Sequence, residues 1–238
     1  MPDKSLLVMI PTRGRRALTE RCLKSFTETK ALDTTELLFI TDPDDDSYDG
    51  MDWGVAAHVV LDPREYVAGK LNKTAAVMAD GYDVLMHTGD DNVFVTPGWD
   101  RIMLGTLEQM GGSGWVYPDN KRRADVPEMW LCSSDVVQAL GWFLCPALQM
   151  YYVDNVIAEM AKRAGLIRFC PEAVIEHRHY SVTPGAERDA TYSEAEDKWG
   201  AADLAAWNEW RAFQLPMDVA MLRRRFNPDV SWVLSRAA

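Results

Sequence analysis

The stretch "YDVLMHTGDDNVFVTPGW", residues 82–99, joins a short apolar run to two adjacent carboxylates. The apolar run leads into Gly89, and Asp90, Asp91 and Asn92 follow directly. A continuous apolar run of this length is typical of a strand that is covered on both faces. Neighbouring carboxylates at its end repel each other and lose hydration, so they require either open solvent or a cation. The stretch therefore predicts a buried strand that ends in a charged loop.

The same rhythm extends from this stretch through the first half of the chain. Apolar runs predict strands at residues 6–10, 36–40, 56–61, 82–87, 114–118 and 129–133. Helical spacing of apolar residues predicts helices from residue 17 onward and over 69–80, 98–110 and 151–165. This alternation favours an α/β fold in which a mostly parallel central sheet is flanked by helices.

The composition suits one core with a modest appendage. Of the 238 residues, 47% are hydrophobic, and we expect a core domain over residues 1–180. Residues 181–238 are expected to form a helical C-terminal extension packed on that core, with Trp199, Trp207 and Trp210 as packing anchors. The formal net charge of −11 argues against non-specific binding to nucleic acid or anionic membrane as the main activity.

The cysteines and the lengths of the apolar runs indicate where the protein works. Cys22, Cys132, Cys145 and Cys170 form no C-x-x-C pair and no zinc-type spacing, so we expect reduced thiols in the core. The N-terminal apolar run is too short for a signal peptide, and no stretch approaches the length of a membrane span. We therefore expect a cytoplasmic protein without a membrane span.

Polar side chains follow three of the predicted strands at the point where each strand ends. They are Thr12 and Arg13 after the first strand, Asp42 and Asp44 to Asp46 after the second, and Asp90 to Asn92 after the fourth. Ligands of open α/β sheets bind at the carboxyl ends of the strands, so three such loops on one edge indicate a binding site. Taken alone, the acidic run after the second strand favours a solvated turn.

Two common phosphate-binding motifs do not occur in the sequence. The Walker pattern G-x-x-x-x-G-K-S/T would need a glycine where Arg64 stands before Gly69 and Lys70. The dinucleotide pattern G-x-G-x-x-G has no match after the first strand. Any nucleotide must therefore be held in another way, and a hard divalent cation on an acidic strand end can hold a diphosphate without either motif.

The order of six segments resembles the nucleotide-sugar glycosyltransferases of the GT-A fold, and most closely their inverting family 2 branch. The segments are "VMIPTRGR", "LLFITDPDDDS", "GKLNKTAAVMA", "VLMHTGDDNVFVTPGWD", "YVDNVIAEMAKRAG" and "EHRH". The resemblance spans residues 6–179 and implies a Rossmann-like domain. It also implies transfer of a sugar from a nucleoside-diphosphate sugar to an acceptor hydroxyl, with inversion and with Mn²⁺ or Mg²⁺ as cofactor.

In that family a D-x-D element at a strand end binds the metal and the diphosphate of the donor. By this resemblance, Asp90, Asp91 and Asn92 take that place. Asn92 stands where the family usually has a metal-binding Asp, and an amide oxygen coordinates a hard cation without supplying charge. The resemblance therefore implies Asp90 or Asp91 as the main ligand, or a site of low metal affinity.

The next element of the family is an acidic residue that opens a helix and acts as the general base. Asp154 in "YYVDNVIAEM" resembles it. A base at a helix start is held in place, although the helix dipole lowers its pKa. The alternative is that Asp154 merely caps its helix.

The resemblance also implies binding roles for a histidine and for several residues of the first loops. Without the resemblance, these residues would be interpreted as structural or as solvated surface residues. A histidine that binds the metal is implied at His177, with His179 as its substitute because residues i and i+2 of a strand share a face. The implied donor contacts are Pro11, Thr12, Arg13 and Asp42 around the base and ribose, and Lys70 and Asn72 near the diphosphate.

Two other functions stay open at this point. A sugar-phosphate nucleotidyltransferase shares the layered fold but carries a Gly-rich first loop, which "PTRGRR" lacks. A catalytically idle module that binds a nucleotide sugar or a glycan is compatible with Asn92 in the metal-binding element.

The acceptor has three alternatives, which are a glycan, a small molecule and a modified DNA base. Small stand-alone transferases of this kind occur in bacteria and their viruses, where a modified DNA base can be the acceptor. Basic clusters at residues 121–123 and 223–225 would then contact DNA phosphates, whereas the net charge of −11 argues against DNA.

Overall fold

The computed structural model describes residues 4–180 and 190–227. Within them the strands are β1 (Leu6–Pro11), β2 (Thr35–Thr41), β3 (Ala57–Val60), β4 (Val84–His87), β5 (Asn92–Phe94), β6 (Trp115–Asp119), β7 (Trp130–Ser133) and β8 (Ile167–His177). The helices are α1 (Arg16–Thr29), α2 (Val67–Met78), α3 (Trp99–Gln109), α4 (Ser134–Leu140), α5 (Val153–Ala164), α6 (Ala190–Phe213) and α7 (Leu215–Phe226). A 3₁₀ turn covers Asp46–Tyr48.

The strands form one eight-stranded sheet in the order β3-β2-β1-β4-β7-β6-β8-β5. Strands β3, β2, β1 and β4 are parallel, and β7 runs antiparallel to both β4 and β6. The chain crosses from β6 to β7 through a loop without a helix, which reverses its direction and gives an antiparallel pair. The predicted α/β fold is confirmed, with a parallel first half and a mixed second half.

The central strand β1 shows why both faces of the sheet are covered. Leu7 and Met9 pack into a cluster on one face with apolar residues of α2, α5 and α7. Leu6, Val8 and Ile10 pack on the other face with apolar residues of α1 and α3. Successive side chains of a strand point to opposite faces, so a continuous apolar run requires an apolar layer on each side.

The two C-terminal helices belong to one of these layers. Trp210 of α6 and Leu215, Val219 and Leu222 of α7 are buried in the same cluster as the apolar face of α5. Helix α5 ends at Ala164, and its C-cap Gly165 has a φ of 72°, the left-handed conformation that favours glycine. Helices α6 and α7 therefore pack directly against the sheet-covering helix α5.

The cysteines lie in the core, as the sequence predicts. Cys22, Cys132, Cys145 and Cys170 are free and buried, so each thiol is part of the core. Among the described residues, no helix is both long and apolar enough to cross a lipid bilayer.

The parallel strands bring three loops to one edge of the sheet. In the register of the sheet Pro11 lies beside Ile40, and Met9 lies beside His87. The residues that follow these strands therefore emerge together at the carboxyl edge of β1, β2 and β4.

We predict that a buried carboxylate at the start of α3 holds the α1–β2 connection in place. Asp100 is fully buried and accepts hydrogen bonds from the backbone N–H groups of Ala31 and Leu32 and from that of Arg101, at 2.9–3.1 Å. Asp100→Ala leaves these donors unpaired and should lower the free energy of unfolding by about 3 kcal/mol. Urea denaturation measures this, with the exposed Asp33→Ala as the control. A loss no larger than that of the control would contradict the prediction.

Candidate functional site

Asp90 lies at the centre of the strand-end cluster. Its side chain is buried, accepts a hydrogen bond from Thr12 Oγ1 at 2.6 Å, and pairs with Arg15 Nη1 at 3.2 Å. Thr12 is itself fixed by Tyr48, whose hydroxyl lies 2.5 Å from Oγ1. Burial, opposed by Arg15, raises the pKa of Asp90 to about 6. Asp90 therefore ties the loop after β4 to the loop after β1.

A second buried ion pair joins the loop after β2 to α2. Asp42 Oδ1 lies 2.9 Å from Lys70 Nζ, and both side chains are buried. Asp42 Oδ2 lies 3.2 Å from Arg13 Nη1, and Arg13 also binds Asp44 through both terminal nitrogens at 2.7 and 3.0 Å. Burial lowers the pKa of Lys70, with Asp42 acting in the opposite sense. Two cations thus lie at the carboxyl edge of the sheet.

These two groups of side chains line a pocket that also receives residues from α6. Its lining residues are Pro11, Thr12, Arg13, Arg15, Asp42, Arg64, Glu65, Tyr66, Val67, Lys70, Asp90, Met150, Glu194 and Ala195. Six of the residues predicted to contact the donor, Pro11, Thr12, Arg13, Asp42, Lys70 and Asp90, are brought together here. The pocket mixes guanidinium and ammonium groups with carboxylates, so it can hold an anion close to hydrogen-bond acceptors.

Asn72 has a different position from the one that the resemblance implies. Its Nδ2 donates to the carbonyl of Leu144 at 2.9 Å, and its Oδ1 accepts from the N–H groups of Phe143 and Leu144 at 2.9 Å. Asn72 is not among the residues that line the pocket. Its side chain ties α2 to the loop before α5, so the proposed donor site does not include Asn72.

Asp91 faces the end of β8 rather than the pocket of Asp90. Its Oδ2 lies 3.4 Å from Nε2 of His177, and Nδ1 of His177 lies 2.9 Å from Oε2 of Glu128. Burial alone would lower the pKa of His177, but the two carboxylates raise it to about 9. Glu128 also accepts from Arg122 Nη1 at 2.8 Å and from Asn120 Nδ2 at 2.7 Å. His177 is therefore held between an acidic strand end and the half-buried carboxylate of Glu128.

Asn92 and His179 flank the pair of Asp91 and His177. Asn92 is 1% exposed and pairs with His177 in the β5–β8 ladder, and its Nδ2 donates to Thr88 Oγ1 at 2.6 Å. Its Oδ1 has no hydrogen-bond partner among the described residues. The ring of His179 lies 5.4 Å from that of His177, and burial lowers the pKa of His179. The orphaned amide oxygen is thus a buried acceptor next to the strand end.

These side chains fit a divalent cation that takes part of its coordination from a ligand. In the described parts of the chain, no cluster of three or more His, Cys, Asp or Glu side chains is arranged to hold a metal ion. Asp91 and His177 offer one carboxylate and one imidazole, and Asn92 adds an unsatisfied amide oxygen. Mg²⁺ is bound through one or two protein carboxylates together with phosphate oxygens and waters, so a phosphate ligand would complete such a site.

Asp154 lies in the first turn of α5, but it is not the N-cap. The N-cap is Tyr152, which has a left-handed φ of 63° and makes no side-chain cap. Oδ1 of Asp154 is buried and has no hydrogen-bond partner among the described residues. Burial, together with the charge of Glu128, raises the pKa of Asp154 to about 7. The lowered pKa expected from the helix dipole is therefore wrong, because burial outweighs it, and the capping alternative has no support.

The sequence reasoning missed several residues of this site. Arg15 and Arg64 line the pocket, Glu194 reaches it from α6, and Glu128 links His177 to the surroundings of Asp154. Glu128 comes from an irregular loop, "ADVPEMW", which carries no periodic signal. Arg15 follows the first predicted strand, but the sequence indicated only that it belongs to a basic cluster.

Comparison with known proteins identifies the fold of this chain but not its activity. No family model matches the sequence, and no curated protein matches it either. Solved structures do resemble it. The mannosyltransferase PcManGT from Pyrobaculum calidifontis, solved with GDP-Man and Mn²⁺, is 14% identical with a TM-score of 0.61, over 93% of this chain and 73% of that one.

Two further structures show the same likeness. Glucosyl-3-phosphoglycerate synthase from Mycobacterium tuberculosis, solved with Mn²⁺, UDP and glucosyl-3-phosphoglycerate, is 14% identical with a TM-score of 0.60, over 85% of this chain and 80% of that one. TarS from S. aureus is 10% identical with a TM-score of 0.54, over 72% of this chain and 36% of that one. The chain therefore has the GT-A fold of nucleotide-sugar glycosyltransferases.

We predict that the carboxylate of Asp154, whose Oδ1 is buried, destabilises the protein when it is ionised. Its pKa of about 7 in the folded protein lies above the ordinary value, so folding binds a proton and stability falls as the pH rises towards 7. Asp154→Asn removes this penalty and should raise the free energy of unfolding at pH 8 by about 1–2 kcal/mol. The gain should shrink as the pH is lowered through 7.

Urea denaturation at pH 8 and pH 5.5 checks this prediction. The exposed Asp33→Asn serves as the control and should show no difference between the two pH values. If Asp154→Asn were less stable than the parent at pH 8, the ionised carboxylate would be a stabilising group, and the prediction would be wrong.

Proposed function

We propose that this chain is a metal-dependent glycosyltransferase that moves a sugar from a nucleoside-diphosphate sugar to an acceptor hydroxyl with inversion. The observation that carries the proposal is Asp154, a carboxylate with an unpartnered buried oxygen and a pKa raised to about 7. It sits at the start of α5 on a GT-A fold whose strand-end pocket holds paired cations and carboxylates. Solved proteins of this fold bind GDP-Man or UDP together with Mn²⁺.

The pocket at the carboxyl edge of β1 and β2 is the proposed donor site. Pro11, Thr12 and Asp42 would contact the base and ribose, because their loops form the wall of the pocket. Arg13 and Lys70 are bound to Asp42 in this structure, and a diphosphate would compete for the same cations. Arg15, which pairs with Asp90, is a further cation on this wall.

Asp91 and His177 would hold the divalent ion, with Asn92 Oδ1 as a third donor and His179 as the substitute for His177. Asp90 would act mainly through Thr12 and Arg15, which already occupy both of its oxygens. When bound, Mn²⁺ or Mg²⁺ neutralises charge that develops on the leaving diphosphate. Because Asp91 and Glu128 raise the pKa of His177, binding of a metal to its nitrogen would release a proton.

Asp154 would act as the general base. It accepts the proton of the acceptor hydroxyl while that oxygen forms a bond to the anomeric carbon. The bond between the anomeric carbon and the diphosphate oxygen breaks at the same time, and the nucleoside diphosphate leaves. A pKa of about 7 suits this task, because a base with a pKa near the working pH is partly ionised and still basic. A single displacement of this kind inverts the anomeric configuration.

One of the two basic clusters gives no reason to favour DNA over the other acceptors. In the cluster at residues 121–123, Lys121 pairs with Asp119, Arg122 with Glu128 and Arg123 with Asp125. Each cation thus already has a neighbouring carboxylate, which leaves little excess positive charge for DNA phosphates. A glycan, a small molecule and a modified DNA base remain as acceptor classes to be tested.

The first prediction from this proposal concerns the metal. Asp91→Asn keeps the volume of the side chain and removes its charge, so it should weaken Mn²⁺-dependent binding of UDP or GDP by about tenfold or more. Calorimetric titration with and without Mn²⁺ measures the effect. Asp49→Asn, an exposed acid in the loop after β2, is the control with the same change of charge. Asn92→Asp should strengthen metal binding, and weaker binding would show that the site requires the amide.

The second prediction concerns the base. Asp154→Asn should lower turnover by roughly 10²–10⁴ with little change in donor affinity, because only the proton acceptor is lost. In the parent protein, kcat/KM should rise as the pH passes through about 7 and Asp154 ionises. Release of nucleoside diphosphate from UDP-glucose or GDP-mannose, with water as acceptor, provides the assay.

Glu159→Gln on the same helix α5 is the control for this prediction, since Glu159 pairs with Arg163 and Arg211. Its turnover should match that of the parent. An Asp154→Asn variant with parental turnover would refute the role of Asp154. A product with retained configuration, read by NMR, would refute the single displacement. A chain that binds the donor and never turns it over would be the idle binding module.

A further inference from the structure

One face of α6 contacts the start of α2, which lines the pocket, and the start of α5, which follows the pocket residue Met150. The ring of Trp199 packs edge-on against that of Tyr66, the N-cap of α2, at 5.3 Å between centroids. The ring of Trp207 stacks on that of Tyr152, the N-cap of α5, at 5.1 Å and 7°. Asp203 lies midway between these two tryptophans in the helix. Trp199 and Trp207 thus pack as expected from the sequence, and they hold α6 against the residues at which α2 and α5 begin.

Asp203 binds the turn that leads into α5. Its side chain is 2% exposed. Oδ1 accepts from the N–H of Gln149 at 3.0 Å, and Oδ2 accepts from those of Met150 and Tyr151 at 2.9 and 2.8 Å. Three backbone donors offset the cost of burying the carboxylate, and all of them belong to consecutive residues. A single side chain therefore fixes the path of the backbone just before Asp154.

The turn has a conformation that needs such support. Tyr152 has a φ of 63°, which is unfavourable for a residue other than glycine and persists only where its surroundings impose it. Its ring is held by the stack on Trp207, and the carbonyl of Gln149 accepts from the N–H of Ala68 in α2 at 3.0 Å. Both ends of the turn are thus tied, one to α6 and one to the helix that carries Lys70.

From these contacts we infer that Asp203 is a positioning residue that sets the orientation of Asp154 relative to the donor pocket. Asp203 is not among the residues that line the pocket, so it acts through the backbone of residues 149–151. Met150 of this turn does line the pocket, which connects the same anchor to the donor. The inference rests on the proposed function, because it assigns Asp203 to the base of that reaction.

The test compares two buried carboxylates of the C-terminal helices. Asp203→Asn keeps the volume but offers one oxygen to three N–H groups, so part of the anchor is lost. Asp218→Asn is the matched control, because Asp218 is also buried and binds Trp210 Nε1 and Gln214 Nε2 without touching the turn. Each variant is assayed for donor hydrolysis with Mn²⁺, for affinity to UDP and GDP, and for hydrogen exchange of residues 149–153.

The expected result is selective. Asp203→Asn should lower kcat by about tenfold or more, leave nucleotide affinity within about twofold, and speed hydrogen exchange at residues 149–153. Asp218→Asn should lower Tm without these changes. Combined with Asp154→Asn, the Asp203→Asn change should cause little further loss of turnover, because a positioning residue has no effect once its target is removed.

Other outcomes separate the two proposals. Parental turnover and parental exchange in Asp203→Asn would overturn the positioning role while leaving Asp154 as the base. Additive losses in the double variant would also overturn it, since they indicate a general structural effect. If the Asp154→Asn variant kept parental turnover, the proposed role of Asp154 as general base would be wrong. Hydrogen exchange at residues 149–153 would still test whether Asp203 anchors the turn. Should Asp203→Asn not fold, Trp207→Leu removes the stack on Tyr152 and is expected to give the same kinetic pattern.

Discussion

The constraint on which this structure depends is the burial of carboxylates where parallel strands end. Asp42, Asp90 and Asp91 all leave the sheet at its carboxyl edge, and each is buried. A buried carboxylate loses its hydration, so each requires a cation or several hydrogen-bond donors nearby. Lys70 serves Asp42, Arg15 serves Asp90 and His177 serves Asp91. The helices and loops that supply these partners are thereby fixed around the strand ends, and the pocket is the space between them.

Asp154 departs from this pattern, and the proposed chemistry depends on that departure. Its Oδ1 has no partner among the described residues, and the charge of Glu128 raises its pKa instead of balancing its charge. Glu128 is in turn committed to Arg122 and His177. His177 and Arg122 thus lower the pKa of Glu128, whereas burial raises the pKa of Asp154 to about 7. Such a separation of pKa values marks the carboxylate that can exchange a proton at neutral pH.

The sequence predicted those parts of the site that follow regular elements. Thr12, Asp42 and Asp90 were predictable because continuous apolar runs mark β1, β2 and β4, and parallel pairing places their ends together. Glu128 and Asp203 were not, because one lies in an irregular loop and the other acts over 52 to 54 residues of sequence on backbone groups. Asn72 was assigned to the diphosphate by the family resemblance, and its contacts with Phe143 and Leu144 depend on a loop that carries no periodic signal. The short elements β5 and α4 are three and seven residues long, too short for a periodic pattern.

The contact between α6 and the turn before α5 also bears on the order in which the chain is made. During translation the strands are complete once His177 has left the ribosome, whereas Asp203 and Trp207 emerge later. The left-handed backbone of Tyr152 has no α6 to hold it during that interval. A nascent chain can therefore form its sheet before the turn ahead of Asp154 is fixed, and the proposed catalytic geometry is complete only after α6 has been synthesised.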